Sequence, residues 1–339
     1  MKILIVMDPG ISIPVTGYGG HERLVEMFAK SYHKKGHEVH LLITTGSIVK
    51  GCIVHDFGKV GFPPSKKNAR YALINGCIFL WKYRNDFDLI HNFGRLAYLI
   101  PILNCKVKKI MTYGREISSR NIKWVNKLPN RNLIFTGCSE NLVSRGAVSG
   151  KWKAVYNAVD FNLYTLQNKI ANDAPLIFLG RLERIKGLHT AIRVAIQTGN
   201  NLIIAGNISP LVDEMQYYEN EVKPLIDGKK IKYIGAVNDA QKNEWLGKSK
   251  ALLFPIEWNE PFGIVMVEAM ACGTPVIGFK KGSVAEVINE DITGYIVNNE
   301  EEMKTAISKI NLISREECRK RANLKFDVDV VSEEYLNLF

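Results

Sequence analysis

Residues 2–43, KILIVMDPGISIPVTGYGGHERLVEMFAKSYHKKGHEVHLLI, decide the fold, because their hydrophobic pattern changes from strand to helix and back. Lys2 to Met7 is a short apolar strand, and a loop rich in glycine and proline follows it. From His21 onward apolar residues recur at helical spacing, and Gly36 ends this helix. A second apolar strand runs from His37 to Ile43. The stretch therefore predicts one β-α-β unit.

The same alternation continues along the chain and starts again after Val159 and Asp160. The predicted strands are Asp88–His91, Lys109–Thr112, Asn132–Thr136, Pro175–Leu179, Asn201–Ala205, Lys230–Ile234 and Ala251–Pro255. In the second half the predicted helices are Gly187–Thr198, Asp213–Asp227, Ala240–Lys248 and one that ends at Cys272 and Gly273. This pattern is typical of an α/β protein with parallel sheets covered on both faces.

We therefore expect two tandem Rossmann-like domains, each with a doubly wound parallel sheet. The predicted domains are residues 1–160 and 161–325, because the segment from Asn168 to Pro175 is polar and ends in proline. Residues 326–339 are predicted to form a last helix that returns to the first domain.

Composition places the chain among ordinary globular proteins. Its 339 residues are 46% apolar and 23% charged, which excludes a disordered chain and a small disulfide scaffold. Six cysteines without a CxxC pair indicate reduced thiols, and no signal peptide precedes the first strand, so we expect a cytoplasmic protein. No apolar stretch is long enough to span a membrane.

The positive charge is concentrated in the first half. Residues 1–160 contain 24 Lys and Arg against 10 Asp and Glu, whereas residues 161–339 contain 21 against 24. Such a basic half suits nucleic acid, anionic lipid or a phosphorylated substrate, or it is simply a soluble surface. Within it, residues 65–84 are both basic and apolar, which fits peripheral contact with the inner face of an anionic membrane and also fits a buried helix.

The most informative segment of the second half is PIEWNEPFGIVMVEAMACGTP, residues 255–275. Pro261 suits the first position of a helix and Gly273 the position after its end. We therefore expect Glu260 at the start of this helix and Glu268 about two turns within it. The two carboxylates then have separate roles.

The start of this helix is a predicted anion site. The backbone amides of Phe262, Gly263 and Ile264 would point outward at the positive end of the helix dipole, where a diphosphate is favoured, and Gly263 would let the ligand approach closely. The carboxylate of Glu268 can accept both hydroxyls of a ribose, although a surface ion pair explains the residue equally well.

A second cluster, FLGRLERIKG, spans residues 178–187 at the end of one predicted strand and the start of a helix. Ligands bind at such strand ends in open α/β sheets. Arg181 and Lys186, beside Gly180, offer the charges to neutralise two phosphates of a leaving nucleotide. The alternative is a pair of solvated loop charges.

Two further signals are weaker. The loop from Thr16 to Gly20 lacks the complete GxGxxG spacing and so indicates either a nucleotide site or a tight turn. His91 ends a predicted strand, and we consider both a structural and a catalytic role for it.

These residues together resemble the large family of retaining, two-domain (GT-B) glycosyltransferases known as glycosyl transferases group 1. The resemblance rests on Gly19-Gly20-His-Glu-Arg, on Gly180-Arg181 with Lys186, and on Glu260 with Glu268 in the EPFGxxxxEAMACGTP run. It implies that a nucleotide-diphosphate sugar binds the C-terminal domain and that a glycan, lipid-linked or small-molecule acceptor binds the N-terminal one.

The resemblance also implies a role for each matching residue. Arg181 and Lys186 would hold the diphosphate, Glu268 the ribose, and Glu260 with the amides beside it the sugar hydroxyls. Further donor contacts would come from Gly19, Gly20, Gly180, Gly206 and Val237. His91 and Asn157 would lie on the acceptor side.

The chain departs from the family at one point. Many members carry a T-x-H pattern after the strand that aligns with Ile110-Met-Thr112, but this chain has Thr112-Tyr113-Gly114-Arg115. Tyr113 and Arg115 therefore become candidates for acceptor contact. Arg115 is a permanently charged donor, so it can bind a phosphate but cannot act as a base.

We expect a hexosyltransferase without cofactor or metal, because two cations and a helix end supply the positive charge. It would act in polysaccharide or glycoconjugate biosynthesis and would not bind nucleic acid. Two alternatives remain: a nucleotide-sugar 2-epimerase of the same architecture, and a basic nucleic-acid-binding protein, which lacks a recognisable motif.

Overall fold

The computed structural model describes residues 1–15, 19–58, 60 and 63–339. Thr16, Gly17 and Tyr18 of the glycine-rich loop lie outside the described residues. The chain forms two compact units: Met1–Ala158 together with Val328–Phe339 make unit 1, and Val159–Asp327 make unit 2.

Unit 1 contains a parallel sheet of seven strands in the described residues, in the order β3-β2-β1-β4-β5-β6-β7. The strands are β1 (Lys2–Val6), β2 (Glu38–Ile43), β3 (Ile53–Asp56), β4 (Leu89–Asn92), β5 (Lys108–Tyr113), β6 (Leu133–Gly137) and β7 (Trp152–Ala154). The helices are α1 (Gly20–Lys34), α2 (Lys66–Lys82), α3 (Ser119–Val125) and α4 (Glu140–Gly146), and a 3-10 helix spans Leu96–Ile102.

Unit 2 repeats this architecture with six described strands in the order β10-β9-β8-β11-β12-β13, all parallel. They are β8 (Leu176–Leu179), β9 (Leu202–Ala205), β10 (Ile231–Tyr233), β11 (Ala251–Phe254), β12 (Val276–Phe279) and β13 (Gly294–Val297). The helices are α5 (Leu188–Gln197), α6 (Val212–Tyr217), α7 (Asp239–Lys248), α8 (Ile264–Ala271), α9 (Val284–Val287), α10 (Glu300–Lys309) and α11 (Arg315–Phe326).

The last helix, α12 (Val328–Leu336), belongs to unit 1. Its Tyr335 is buried against the ring of Phe28, with the ring centroids 5.2 Å apart. Ser31 on α1 donates a hydrogen bond to Asp329 at 2.7 Å, and Lys35 pairs with Glu333 at 2.9 Å. Apolar burial and polar contacts with α1 thus attach the C-terminus to this unit, and both predicted sheets of the doubly wound α/β fold are confirmed.

The direction of each sheet reverses beside its first strand. In unit 1 the chain builds β1, β2 and β3 to one side and then crosses to β4, and in unit 2 it builds β8, β9 and β10 before it crosses to β11. The central strand β1 is completely buried from Ile3 to Val6, which is why it has an apolar run rather than alternation. Ligands of open α/β sheets bind at such reversals, beyond the carboxyl ends of the strands.

The structure corrects several predicted elements. The predicted helix Asp213–Asp227 is α6 followed by a π-helical turn at Tyr218–Val222 and a 3-10 turn at Lys223–Leu225. Pro224 cannot donate its backbone amide and so favours this break. Strands β3, β7, β12 and β13 were not predicted.

Helix α2 is half-buried. Ala72, Gly76 and Leu80 are buried, so the predicted buried helix over residues 71–81 packs on unit 1 with one side only. On the other side Tyr71, Ile74, Ile78 and Trp81 are more than half exposed. None of the described helices is long and apolar enough to cross a membrane.

Candidate functional site

In unit 2, the loops after β8 and β11 meet at the reversal of the sheet. Gly187, which caps the start of α5, has a φ of 73°, and a Cβ atom there would lie 1.9 Å from the carbonyl oxygen of Pro255. Only glycine allows the two loops to approach this closely. The approach places Lys186 beside the segment that carries Glu260.

Lys186 and Glu260 form a partly buried ion pair. The Lys186 Nζ lies 2.5 Å from Glu260 Oε2, and the two side chains are only 17% and 12% exposed. The indole Nε1 of Trp258 donates to the same carboxylate oxygen at 2.9 Å, and the Lys186 ammonium lies 5.1 Å from the Trp258 ring centroid. Because the ammonium has three donor hydrogens, it can hold Glu260 and also bind an incoming anion.

The helix after Glu260 starts later than the sequence predicts. α8 begins at Ile264, so Pro261 precedes the helix and Glu268 lies one turn within it, not two. The physical reason lies in Ser283: its amide donates to the carbonyl of Glu260, and its hydroxyl donates to the carbonyl of Phe262. Both carbonyls therefore accept hydrogen bonds from Ser283, which lies outside α8.

Two residues at the start of α8, Gly263 and Phe262, are closely packed within unit 2. Gly263 has a φ of 74°, and a Cβ atom there would lie 2.8 Å from Met266 Cε and 2.9 Å from Phe254 Cζ. The absence of a side chain at Gly263 therefore serves internal packing, and the close approach of a ligand there stays a prediction. The ring of Phe262 is buried against Phe326. The amide of Ile264 begins the helix, at the positive end of its dipole.

Glu268 is held by two donors from other elements. Lys242 on α7 reaches its Oε1 at 2.5 Å, and the hydroxyl of Tyr164 donates to the same oxygen at 2.9 Å. Burial and the neighbouring carboxylate raise the pKa of Tyr164, so its hydroxyl remains protonated. Glu268 is 12% exposed and forms an ion pair with Lys242, so the ion-pair interpretation stands beside the ribose contact, which stays a prediction.

Arg181 lies at the end of β8 in a different environment from Lys186. Its guanidinium is half-exposed and pairs with the buried carboxylate of Glu183 at 2.6 Å. One Nη atom is thereby engaged, and the fork retains further donors.

The remaining predicted donor residues of unit 2 lie at neighbouring strand ends. The amide of Gly180 donates to the carbonyl of Ala205, and that of Gly206 donates to the carbonyl of Gly235. Val237 lies half-buried between β10 and α7. Gly180 and Gly206 therefore link β8, β9 and the loop after β10.

His91 is a structural residue of unit 1. It is completely buried at the end of β4, where Nδ1 contacts the Tyr32 hydroxyl at 3.0 Å and Nε2 contacts the Thr112 hydroxyl at 2.9 Å. Burial lowers the pKa of His91 to about 3, so the ring is neutral. Its predicted place on the acceptor side is wrong, because no solvent reaches it.

Of the other residues predicted in unit 1, two line one cavity. Tyr113 and Arg115 contribute to a cavity of about 820 Å³ beyond the carboxyl ends of β4 and β5. Asn157 does not line it, and its contact with an acceptor stays a prediction. Gly19 and Gly20 lie at the start of α1, and their contact with a donor stays a prediction.

Sequence reasoning missed Trp258, Lys242, Tyr164 and Glu183. Trp258 lies two residues before Glu260 within the quoted motif, so its position was a usable signal. Lys242 and Tyr164 meet Glu268 across 26 and 104 residues of chain, and no local pattern indicates such contacts. Among the described ranges, no group of three or more His, Cys, Asp or Glu side chains is arranged to hold a metal ion.

The fold and the site define a class: two Rossmann-like units, with two lysine–glutamate pairs along the carboxyl edge of the second sheet. Residues 166–325 match the family described as glycosyl transferases group 1. This match covers the second unit, and the architecture of the chain is the GT-B fold.

Related proteins extend the match beyond this domain. An uncharacterised 41.2 kDa protein in the cps region of Klebsiella pneumoniae is 28% identical and covers 58% of this chain, and a second from that organism, of 42.6 kDa, is 26% identical over 74% of it. The chain spans only 57% and 65% of the lengths of these two relatives. The N-acetyl-alpha-D-glucosaminyl L-malate synthase of Bacillus anthracis is 25% identical, with 91% of this chain and 89% of the synthase covered.

A solved structure shows the same fold along the whole chain. The Anabaena protein HepE, in complex with UDP-glucose, superposes with a TM-score of 0.72 at 18% identity, covering 99% of this chain and 98% of HepE.

Proposed function

We propose that this protein is a retaining glycosyltransferase that moves a hexosyl group from a nucleoside diphosphate sugar to a glycan, lipid-linked or small-molecule acceptor. The observation that carries the proposal is the Lys186–Glu260 pair beside Trp258, at the reversal of the unit 2 sheet. It combines a cation suited to a phosphate with a carboxylate suited to sugar hydroxyls. The UDP-glucose complex of HepE supports a nucleotide-sugar donor.

The diphosphate is proposed to bind at three groups. Lys186 offers its remaining ammonium hydrogens, Arg181 the open part of its guanidinium, and the start of α8 its backbone amides. Glu260 accepts hydrogen bonds from the sugar, with its orientation set by Trp258.

Glu268 is proposed to bind the ribose. Lys242 and Tyr164 both donate to Oε1, so Oε2 remains as an acceptor for the ribose hydroxyls.

The proposed reaction conserves every atom of both substrates. The bond from the anomeric carbon to the diphosphate oxygen breaks, and a bond to the acceptor oxygen forms on the same face of the sugar. The acceptor proton passes to the leaving phosphate oxygen, so no separate base is needed. Lys186 and Arg181 stabilise the charge that develops on the diphosphate.

The acceptor is proposed to be a glycan or lipid-linked molecule of polysaccharide or glycoconjugate synthesis. Similarity to two Klebsiella pneumoniae proteins in the cps region supports this assignment. We propose that the reaction takes place in the cytoplasm and requires no metal ion. Treatment with EDTA is then expected to leave the rate unchanged.

The exposed side of α2 supports peripheral contact with an anionic membrane. Tyr71, Ile74, Ile78 and Trp81 form an apolar stripe at helical spacing, which we call the α2 stripe. Exposed lysines and arginine adjoin it at Lys66, Lys67, Arg70 and Lys82. An apolar stripe bordered by cations is typical of helices that lie on anionic lipid.

The proposal is tested by nucleotide release from separate UDP-, GDP- and ADP-sugars, with and without a lipid extract as acceptor. We expect release from one donor, and we expect Glu260→Gln to abolish most of it. A matched control is Glu244→Gln, since Glu244 is exposed on α7. Equal release by wild type and Glu260→Gln from every active donor would contradict the proposal.

The same samples distinguish a glycosyltransferase from the alternative, a nucleotide-sugar 2-epimerase. An epimerase converts the nucleotide sugar without an acceptor and releases no nucleotide until the product hydrolyses. Proton NMR of the donor is expected to show loss of the sugar group with no epimeric nucleotide sugar.

A further inference from the structure

The cavity of unit 1 lies at the reversal of its sheet. Four chain segments line it: the end of β1, the start of α1, the 3-10 helix after β4, and the segment from β5 into α3. Its volume of about 820 Å³ suits a ligand of the size of a disaccharide or larger.

His21 presents a hydrogen-bond acceptor to this cavity. Its Nε2 lies 3.2 Å from the carbonyl oxygen of Phe93, and since a carbonyl only accepts, Nε2 carries the hydrogen. The neutral ring then has an unprotonated Nδ1. Burial lowers the pKa of His21, with a smaller contribution from Arg115 in the same direction, and the Phe93 carbonyl, Glu22 and Asp8 oppose the shift.

Gly114 keeps the Nδ1 edge of this ring uncovered. A Cβ atom at position 114 would lie 3.6 Å from His21 Cε1 and 3.7 Å from Nδ1, so a longer side chain there would occupy the space beside that nitrogen. The T-x-H pattern of related enzymes would place a histidine at this position. Here α1 brings an imidazole to the same place from another part of the sheet edge.

The charges of the cavity favour an anion. Asp8 is already engaged by Arg95 at 3.3 Å and by the Tyr98 hydroxyl at 2.9 Å. Within the part of the chain that the structure describes, neither Arg115 nor Arg120 forms an ion pair. Exposed Glu116 is the remaining carboxylate of the lining, so the two arginines outnumber it.

One wall of the cavity is apolar. Ile100 of the 3-10 helix and Trp124 of α3 are 37% and 52% exposed, and both line the cavity. An apolar group of a ligand would cover these side chains and gain by their burial.

We infer that this cavity binds an acceptor which combines a hydroxyl group, an anionic group and an apolar portion. His21 Nδ1 accepts the hydrogen bond of the hydroxyl, Arg115 binds the phosphate or carboxylate, and Ile100 and Trp124 contact the apolar portion. This inference rests on the proposed function and specifies its acceptor. A lipid-linked phosphate and a sugar phosphate share the anionic chemistry.

Three probes separate these contacts: octyl phosphate, octyl glucoside below its micelle concentration, and glucose 6-phosphate. Binding is measured by calorimetry with the preferred nucleoside diphosphate present at saturation, which occupies the site of unit 2. Arg115→Ala is expected to weaken the binding of octyl phosphate and of glucose 6-phosphate by about 10-fold. The affinity for octyl glucoside should stay unchanged. Arg131→Ala is the control, because Arg131 is exposed and does not line the cavity.

The hydroxyl contact is tested by two variants of His21. His21→Gln retains a donor toward Phe93 but removes the Nδ1 acceptor. It should therefore weaken the binding of octyl glucoside and of glucose 6-phosphate by about 10-fold and leave the binding of octyl phosphate unchanged. His21→Asn returns an oxygen near the Nδ1 position and should restore part of the affinity. Circular dichroism reports whether each variant folds.

The outcomes distinguish failure of the acceptor inference from failure of the proposed function. Stronger binding of octyl phosphate than of glucose 6-phosphate identifies a lipid-linked source, and the reverse contradicts the apolar contact with Ile100 and Trp124. If His21→Gln and Arg115→Ala change all three probes equally or none of them, the inference is wrong while nucleotide binding stays intact. Loss of nucleotide binding in the wild type would instead contradict the proposed function.

Discussion

The two units have the same sheet topology but differ in the charges at their carboxyl edges. In unit 2 two carboxylates of the site meet a lysine, as Lys186 meets Glu260 and Lys242 meets Glu268, and Glu183 meets Arg181. In unit 1 the arginines Arg115 and Arg120 line an open cavity without a described carboxylate partner.

The difference extends to the whole of each unit. Unit 1 has 24 Lys and Arg against 12 Asp and Glu, whereas unit 2 has 21 against 22. We propose that the paired charges of the nearly neutral unit 2 suit a ligand that carries both phosphates and hydroxyls. A basic unit with open cations needs an incoming anion to balance them. On these proposals, one topology supports two binding chemistries through its loops.

The largest effect is expected at Lys186. If the paired site of unit 2 stabilises the leaving diphosphate, Lys186→Ala should lower the rate of nucleotide release by about 10²–10³-fold. The measurement is initial velocity with the preferred donor at saturating concentration.

Lys248→Ala is the control for this prediction, because Lys248 is exposed on α7 and pairs only with its helix neighbour Glu244 among described residues. It should change the rate by less than about twofold. A similarly small effect of Lys186→Ala would mean that the buried pair only stabilises the fold.

The second prediction concerns Glu268 and sharpens the assignment of the ribose. Wild-type protein should bind its nucleoside diphosphate about 10–100-fold more tightly than the 2′-deoxy form, since a hydrogen bond to a charged group contributes about 1.5–3 kcal/mol. Glu268→Gln should lose this preference. Affinity is measured by calorimetry for both nucleotides.

Glu244→Gln serves as the matched control, since Glu244 lies on the exposed side of α7. Should Glu268→Gln keep the full preference for ribose, Glu268 would be a packing residue held by Lys242 and Tyr164 rather than a ligand contact.

The fold was predictable where burial is uniform. β1 and α1 were predicted within two residues of their ends, because a completely buried strand and an amphipathic helix have clear periods. β3 and β7 were missed because they are short edge strands with polar residues, Ile53–Asp56 and Trp152–Ala154. Edge strands bury one side only, so their composition resembles that of loops.

The candidate site was predictable only in part. Glu260 and Lys186 were found because each lies in a local motif at a strand end. The contact between them spans 74 residues, and the order of the strands brings them together. His91 was misplaced for the same reason: its position at a strand end is local, but its burial under Tyr32 and Tyr335 comes from α1 and α12.

The third prediction tests the neutral interior of unit 1. The pKa of His91 is about 3 in the folded protein against 6.5 in its ordinary state, so below pH 6.5 the unfolded chain binds a proton that the folded chain excludes. Stability is therefore complete above about pH 6.5 and falls by up to about 1.4 kcal/mol per pH unit as the pH decreases toward 3. Urea unfolding measured from about pH 7 to about pH 5 should show a shallower loss for His91→Gln. Equal slopes for the two proteins would show that His91 is protonated in the folded state.

The smallest effect is expected beside the α2 stripe. The prediction tests whether the excess positive charge of unit 1 binds an anionic membrane. Binding to vesicles that contain anionic lipid should weaken by about fivefold in Lys67→Ser, since a cation near such a surface contributes about 1 kcal/mol. Lys248→Ser removes an exposed lysine from unit 2 and should leave the binding unchanged. The two variants carry the same net charge, so a difference between them must come from where the lysine lies. Equal weakening by both would show that the protein responds to net charge alone, and the α2 stripe would then have no part in the contact.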